Sequence, residues 1–260
     1  MRTALISDIH SNLSALEAVL AEIDQRNCQR ILCLGDIIGY GPNPVQCADA
    51  VAERCEWSLL GNHDFGVLYE PTNFNSVAEQ AAYWTREQFE REGRDDAERA
   101  RRRWNFLGML PVRKREGDYL FVHGTPRKPI NEYLFPEDAI NSPAKLASIF
   151  DRIERVCFVG HTHVQGVFTD DGEFWKPDEL TDRAYPVDPT LKAIINPGSV
   201  GQPRDGDPRA AFAILDTSAG DGKHRVEFHR VEYDIETTVA QIHAIDRLND
   251  FLGDRLREGR

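Results

Sequence analysis

The sequence predicts an α/β (α+β) protein, and three features carry that reading. The first sixty residues alternate apolar strand runs with helical periodicity as βαβαβ, the second half is rich in strands, and successive strands end on Asp, Asn or His. Residues 3–7 are a short apolar strand. Leu13, Leu16, Val19, Leu20 and Ile23 then recur at helical spacing, with Ser14 and Glu17 placed for a capping box. Residues 31–34 read as the second strand, 44–54 as a helix and 57–60 as the third strand. Two further helices, 76–91 and 97–108, lie in a segment of about 66–112 that precedes a hairpin over 112–122. Residues 156–159, a hairpin over 164–174 turning at Asp170-Asp171-Gly172, and residues 193–196, 210–215 and 225–233 are the remaining strands. Asp234 is the N-cap of a last helix. Its apolar stripe of Ile235, Val239, Ile242, Ile245, Leu248, Phe251 and Leu252 runs to about residue 256. No internal repeat, low-complexity stretch or linker divides the chain, so residues 1–260 are expected to form a single domain, with about 66–112 as a helical cap insertion.

Composition narrows the class. A 29.5 kDa chain with 41% hydrophobic residues can bury a sizeable core. A net charge of −12 and a pI near 5.1 disfavour a general nucleic-acid or membrane-surface binder, because neither polyanion attracts such a protein. Cys28, Cys33, Cys47, Cys55 and Cys157 form an odd set without a C-x-x-C pair, which speaks against a disulfide framework. The apolar run before Asp8 is too short for a signal peptide and no stretch reaches the ~20 apolar residues of a membrane span, so a cytoplasmic location is expected.

Five motifs hold the chemistry: Asp8-Ile9-His10, Gly35-Asp36, Gly61-Asn62-His63-Asp64, Val122-His123-Gly124 and Gly160-His161-Thr162-His163. Each alone is weak, since Asp caps helices and Gly-Asn makes turns. Together they follow strands of one kind, and side chains leaving the carboxyl ends of neighbouring parallel strands converge on one crevice. Seven oxygen and nitrogen donors with one spare histidine are enough for two metal ions. Cations about 3.5–4 Å apart clamp the attacking and leaving oxygens of an in-line displacement at phosphorus.

The ordered set resembles the calcineurin-like metallophosphoesterase superfamily, its small bacterial and archaeal phosphodiesterase branch in particular, and Asn196-Pro197-Gly198-Ser199-Val200 extends the match. The resemblance implies a four-layer αββα sandwich. It implies a first ion held by Asp8, His10 and His163, a second held by Asn62, His123 and His161, and Asp36 bridging them. A carboxylate can span two cations, and such a pair lowers the pKa of a shared water from about 15.7 toward neutrality, giving hydroxide for attack on a phosphodiester or phosphomonoester. His63 is then the candidate general acid for the leaving alkoxide, with Asp64 orienting it. Mixed imidazole and carboxylate ligation favours Mn, Fe, Zn, Ni or Co over Mg, and manganese is the expected choice.

Departures from the family bear on substrate. Protein phosphatases of this superfamily carry Asp-Arg-Gly at the bridging aspartate, whereas this chain continues Ile37-Ile38-Gly39, and Asp64 stands where they have Glu. Tyr40 is either a loop residue or an aromatic wall of the pocket rim. Arg204, in a Gly/Pro-rich loop, either grips a second phosphate or acidic leaving group or is a salt-bridged surface arginine. Arg99, Arg101, Arg102 and Arg103 beside Trp104 read as a solvated helix face, not a nucleic-acid surface. The expected substrate is a small phosphate ester. Serine/threonine phosphatase and dinucleoside polyphosphate hydrolase are the rival activities, and a noncatalytic scaffold on the same fold, as in the retromer subunit, is the rival class.

Overall fold

A computed structural model describes residues 1–218 and 223–260, with side chains at 92–95 outside the description. The opening rhythm is present as β1 (Arg2–Ile6), α1 (Leu13–Gln25), β2 (Arg30–Cys33), α2 (Pro44–Arg54) and β3 (Trp57–Ser58), the three strands parallel. There follow α3 (Asn62–Leu68), α4 (Ser76–Asp95), α5 (Ala97–Gly108), the hairpin β4 (Arg113–Glu116) and β5 (Tyr119–Val122), α6 (Asp138–Asn141), α7 (Pro143–Phe150) and β6 (Val156–Phe158). The rest is β7 (Gly166–Thr169), β8 (Phe174–Trp175), β9 (Ala184–Val187), β10 (Ala193–Asn196), β11 (Ala210–Asp216), β12 (His224–Val231), α8 (Ile235–His243) and α9 (Phe251–Asp254). Among the described residues no helix is long and apolar enough to cross a membrane.

Among the described residues the strands form two six-stranded sheets, ordered β3-β2-β1-β11-β12-β9 and β4-β5-β6-β10-β7-β8. Alternation along each strand shows how they stack. Leu5 of β1, Phe121 of β5, Phe158 of β6 and Ile195 of β10 enter one buried cluster between the sheets. Their neighbours point the other way: Ala4 and Ile6 pack under α1 and α2, whereas Leu120, Cys157 and Ile194 pack under α7. With both faces of each sheet buried, the order of layers is helix, sheet, sheet, helix. This is the αββα sandwich.

The helices of 66–112 pack into the first helical layer, where Ala82, Phe89 and Leu107 share a cluster with Leu16 and Val51. Arg86 ties α4 to α3 by donating Nε to the Val67 carbonyl at 2.7 Å. The basic run of α5 is not uniformly solvated. Arg103 is only 6% exposed and donates through Nε and Nη2 to Asp49, each at 2.7 Å, because α5 lies against α2.

Other local expectations change for identifiable reasons. Asn12, not Ser14, caps α1: its Oδ1 accepts from Ala15 N–H at 3.2 Å, which starts the helix two residues earlier than a Ser14–Glu17 box. The third strand is only two residues long, and α3 begins inside Gly-Asn-His-Asp, a stretch that reads locally as a turn. The tail is two helices and a final turn instead of one helix to 256. Asn249 Oδ1 accepts from Phe251 N–H at 3.0 Å and begins a fresh turn, yet Val239, Ile242, Leu248, Leu252 and Leu256 still bury together against Ala81 and Trp84 of α4.

Candidate metal centre

Every candidate ligand sits just beyond a strand's carboxyl end. Asp8 and His10 follow β1, Asp36 follows β2, Asn62 follows β3, His123 follows β5, and His161 and His163 follow β6. The first sheet therefore contributes the carboxylates and the second most of the imidazoles. Backbone bonds lace these loops together: Ile9 N–H and His10 N–H both donate to the Asp36 carbonyl at 2.8 and 3.0 Å, and Gly160 N–H donates to the His123 carbonyl at 2.8 Å. His161 N–H crosses between sheets to the Asp8 carboxylate at 3.1 Å. Asp8, His10, Asp36, His161 and His163 all have φ between 48° and 69°, a left-handed region that non-glycine residues seldom occupy. Backbone strain concentrated at donors is the pattern of a site held in place by its surroundings. Two glycines make room for it. A Cβ on Gly61 would collide with the Asp36 carboxylate, and one on Gly160 with the Ser7 hydroxyl.

The donors converge in two groups, Asp8/His10/Asp36/His163 and Asp36/His123/His161, with the atoms of each within 4.8 Å of one another. Asp36 belongs to both. Its Oδ2 lies 3.6 Å from His10 Nε2 and 3.3 Å from His123 Nε2, and Asn62 Oδ1 lies 3.2 Å from His123 Nε2. His10 and His163 aim their Nε2 atoms at one spot, 3.1 Å apart.

The profile of the calcineurin-like phosphoesterase superfamily domain matches residues 1–220, over which these donors are spread. The chain belongs to this superfamily. An uncharacterized protein of Methanocaldococcus jannaschii is 38% identical over 99% of this chain and 98% of its own length. A crystal structure of a metallophosphoesterase from Sphaerobacter thermophilus is 39% identical and covers 100% of this chain and 99% of its own, with a TM-score of 0.82. A hypothetical protein from Pyrococcus horikoshii, 18% identical, covers 100% of this chain and 98% of its own with a TM-score of 0.73, which shows the shared fold.

The donor set of this superfamily member suits divalent ions on its own chemistry. His123 Nδ1–H donates to the Leu34 carbonyl at 2.9 Å and His163 Nδ1–H to the Gln202 carbonyl at 2.6 Å, which leaves each Nε2 lone pair directed inward. His161 Nε2 and His10 Nδ1 are buried without a hydrogen-bond partner. Burial, which disfavours the imidazolium, pushes His161 down to about 3 and His10 well below its ordinary value. Burial opposes ionisation of Asp36, but His123, His63 and His10 hold its pKa well below the usual range. His123 runs the other way: burial lowers it, but the charge and hydrogen bond of Asp36, with Asp8 and the Leu34 carbonyl, together raise it to about 9, so an ion binding at Nε2 would displace a proton.

His63 lies outside both donor groups, between the rings of Tyr40 at 4.2 Å and Phe74 at 4.6 Å, and burial lowers it to about 4. Its Nδ1 is buried without a partner, while its backbone N–H donates to Asp36 Oδ1 at 2.8 Å. Asp64 does not orient that ring. Its carboxylate accepts from Ile37, Ile38 and Gly61 N–H groups at 3.0, 3.2 and 3.0 Å, pinning the β2 exit to the start of α3. Tyr40 reaches the cluster, 4.8 Å from the His10 ring, and Arg204 lies over Tyr40 with its guanidinium carbon 5.9 Å from the ring centre.

Several residues at the site escape sequence reasoning. Tyr133 stacks on His161 at 3.7 Å and Phe135 on Tyr133 at 5.1 Å. Both stand in an irregular loop without periodicity, so no local signal marks them. Asn196 and Ser199 lie in the Asn-Pro-Gly-Ser-Val run and were visible there: Asn196 Nδ2 donates to the Gly160 carbonyl and Ser199 Oγ–H to the Asp8 carbonyl, at 2.9 and 2.7 Å.

Proposed function

We propose that this superfamily member is a binuclear-metal phosphoesterase that hydrolyses small phosphodiesters or phosphomonoesters. The observation that supports it most is the membership of Asp36 in both donor groups. Asp8, His10 and His163 hold one ion in this reading, Asn62, His123 and His161 the other, and Asp36 both; manganese is the effective metal. When bound, the two ions acidify a shared water and neutralise the oxygens of the phosphoryl group. The chain supplies the remainder. Asp8 and Asp36 give the negative charge that retains divalent cations, and the Leu34 and Gln202 carbonyls fix the tautomers of His123 and His163. Tyr40 and Phe74 hold the His63 ring beside His10, at 4.8 Å and nearly perpendicular; burial keeps it neutral in the free site, and in this reading the negative charge of a bound phosphate ester protonates it before it gives that proton to the departing alkoxide. Asp64 acts on the site through the backbone of Ile37 and Ile38, and these residues stand where protein phosphatases carry a phosphate-gripping arginine. A small ester is therefore favoured over a phosphoprotein. The whole chain works as one domain with 66–112 as its helical insertion, and five free cysteines fit the reducing cytoplasm.

The test is direct. Metal-stripped protein titrated with Mn should acquire two ions per chain and release p-nitrophenol from bis-p-nitrophenyl phosphate or p-nitrophenyl phosphate in parallel with the second. Two bound ions without turnover on either ester would favour the scaffold class, and saturation at one ion would remove the bridge.

A further inference from the structure

Beside the histidine cluster lies a cleft of about 480 Å³ whose lining includes Phe135, Thr162, Val164, Arg183, Arg204 and Arg230. Two of its arginines are neutralised. Arg183 pairs with Asp178, and Arg230 with Asp205 and, at 3.9 Å, with Asp207. Arg204 differs: among the described residues no carboxylate is within ion-pair distance of it, its Nη2 donates to Gln202 Oε1 at 2.7 Å, and its Nε is buried with no partner. Its backbone N–H donates to the His163 carbonyl at 3.3 Å, which ties it to the cluster.

A second cation aggravates the imbalance. Arg255, half-buried in the turn after α9, has its pKa lowered to about 10 by burial and by the charge of Arg204. Among the described residues it too lacks an acid partner, and its Nε donates to the Arg260 carbonyl. Neighbouring guanidinium groups with an unsatisfied buried donor destabilise a fold unless an anion joins them. A planar fork of N–H groups matches an oxyanion in a bidentate manner. Arg204 is outside both donor groups and lies over the Tyr40 ring, 5.9 Å from its centre, on the lining of the cleft, a position suited to an anion beside the one held at the donor groups.

We infer that Arg204, supported by Arg255, binds a second phosphate or comparable oxyanion carried by the substrate, whose body lies in the cleft walled by Phe135 and Val164. The inference rests on the phosphoesterase reading and narrows it to esters bearing two anionic groups. Calorimetric titration of the Mn-loaded protein with propylphosphonate and with propane-1,3-bisphosphonate tests it, since only the second ligand carries two anionic groups. The bisphosphonate should bind about ten-fold more tightly, one per chain, with that advantage falling to about two-fold in Arg204→Ala and partly returning in Arg204→Lys. Arg255→Ala should reduce it less, and thermal melts should show every variant folded. Equal affinities in the wild type or an equal loss for both ligands in Arg204→Ala would overturn the inference. Failure of the underlying function shows itself differently, as absent metal-dependent turnover of p-nitrophenyl esters, while the affinity ratio still reports on Arg204.

Discussion

Asp36 presents Oδ2 to His10 and His123 while its Oδ1 accepts the His63 backbone N–H at 2.8 Å, so one carboxylate touches both donor groups and the segment that carries His63. Asp36→Asn removes the shared charge and should lower metal content at both positions; mass spectrometry showing two retained ions would contradict the bridge. Gly61 stands against the same carboxylate, and Gly61→Ala should displace it and weaken metal affinity by about ten-fold or more while leaving the fold intact by circular dichroism. His63→Ala should keep both ions and lose about 100-fold in turnover of alkyl phosphates. With p-nitrophenyl esters, whose leaving group hardly needs a proton, the loss should be nearer ten-fold. Equal losses on the two kinds of ester would take the proton-donor role from His63. These donors were legible in the sequence because Asp, Asn and His after an apolar strand are unusual company. The role of Asp64 was not, because adjacency to His63 in the chain says nothing of which way a carboxylate turns.

Asn12 shows how an element starts. It is buried between β1 and α1, where its Oδ1 accepts from Ala15 N–H and from Thr238 Oγ1–H at 2.9 Å, and its Nδ2 donates to the Gly201 carbonyl at 2.9 Å. One side chain thus caps α1, ties it to α8 and fixes the loop beside Asp8. Asn12→Ala should destabilise the protein by about 2–4 kcal/mol, the sum of a lost cap and of buried groups left unpaired, measured by denaturant unfolding. A loss below about 1 kcal/mol would mean that water replaces these bonds. Helix α2 was legible to the residue, since Pro44 suits a first helical turn and the apolar period is unbroken. α3 and the divided tail were hidden. In both, side-chain acceptors decide the ends: Asp64 closes onto Gly61 N–H, and Asn249 restarts the chain at Phe251.

At the scale of the molecule the candidate centre sits at the carboxyl ends of strands from both stacked sheets, with Asp8, His10, Asp36 and Asn62 from the first and His123, His161 and His163 from the second. Ions bound there would join the sheets, so stripping them should lower the thermal midpoint by several degrees and re-adding Mn should restore it, by scanning calorimetry. An unchanged midpoint in protein verified as metal-free would place the ions outside the stabilising core. The sequence by itself determined the alternation of strands and helices and the identity of the donors, because side-chain periodicity and the chemistry of Asp and His are local properties. Only the tertiary structure decided that loops more than a hundred residues apart close to within 4.8 Å, that Arg103 is buried, and that among the described residues no carboxylate pairs with Arg204. Those outcomes depend on how two sheets stack and which side chains then meet across the gap, and no run of neighbouring residues encodes that distance.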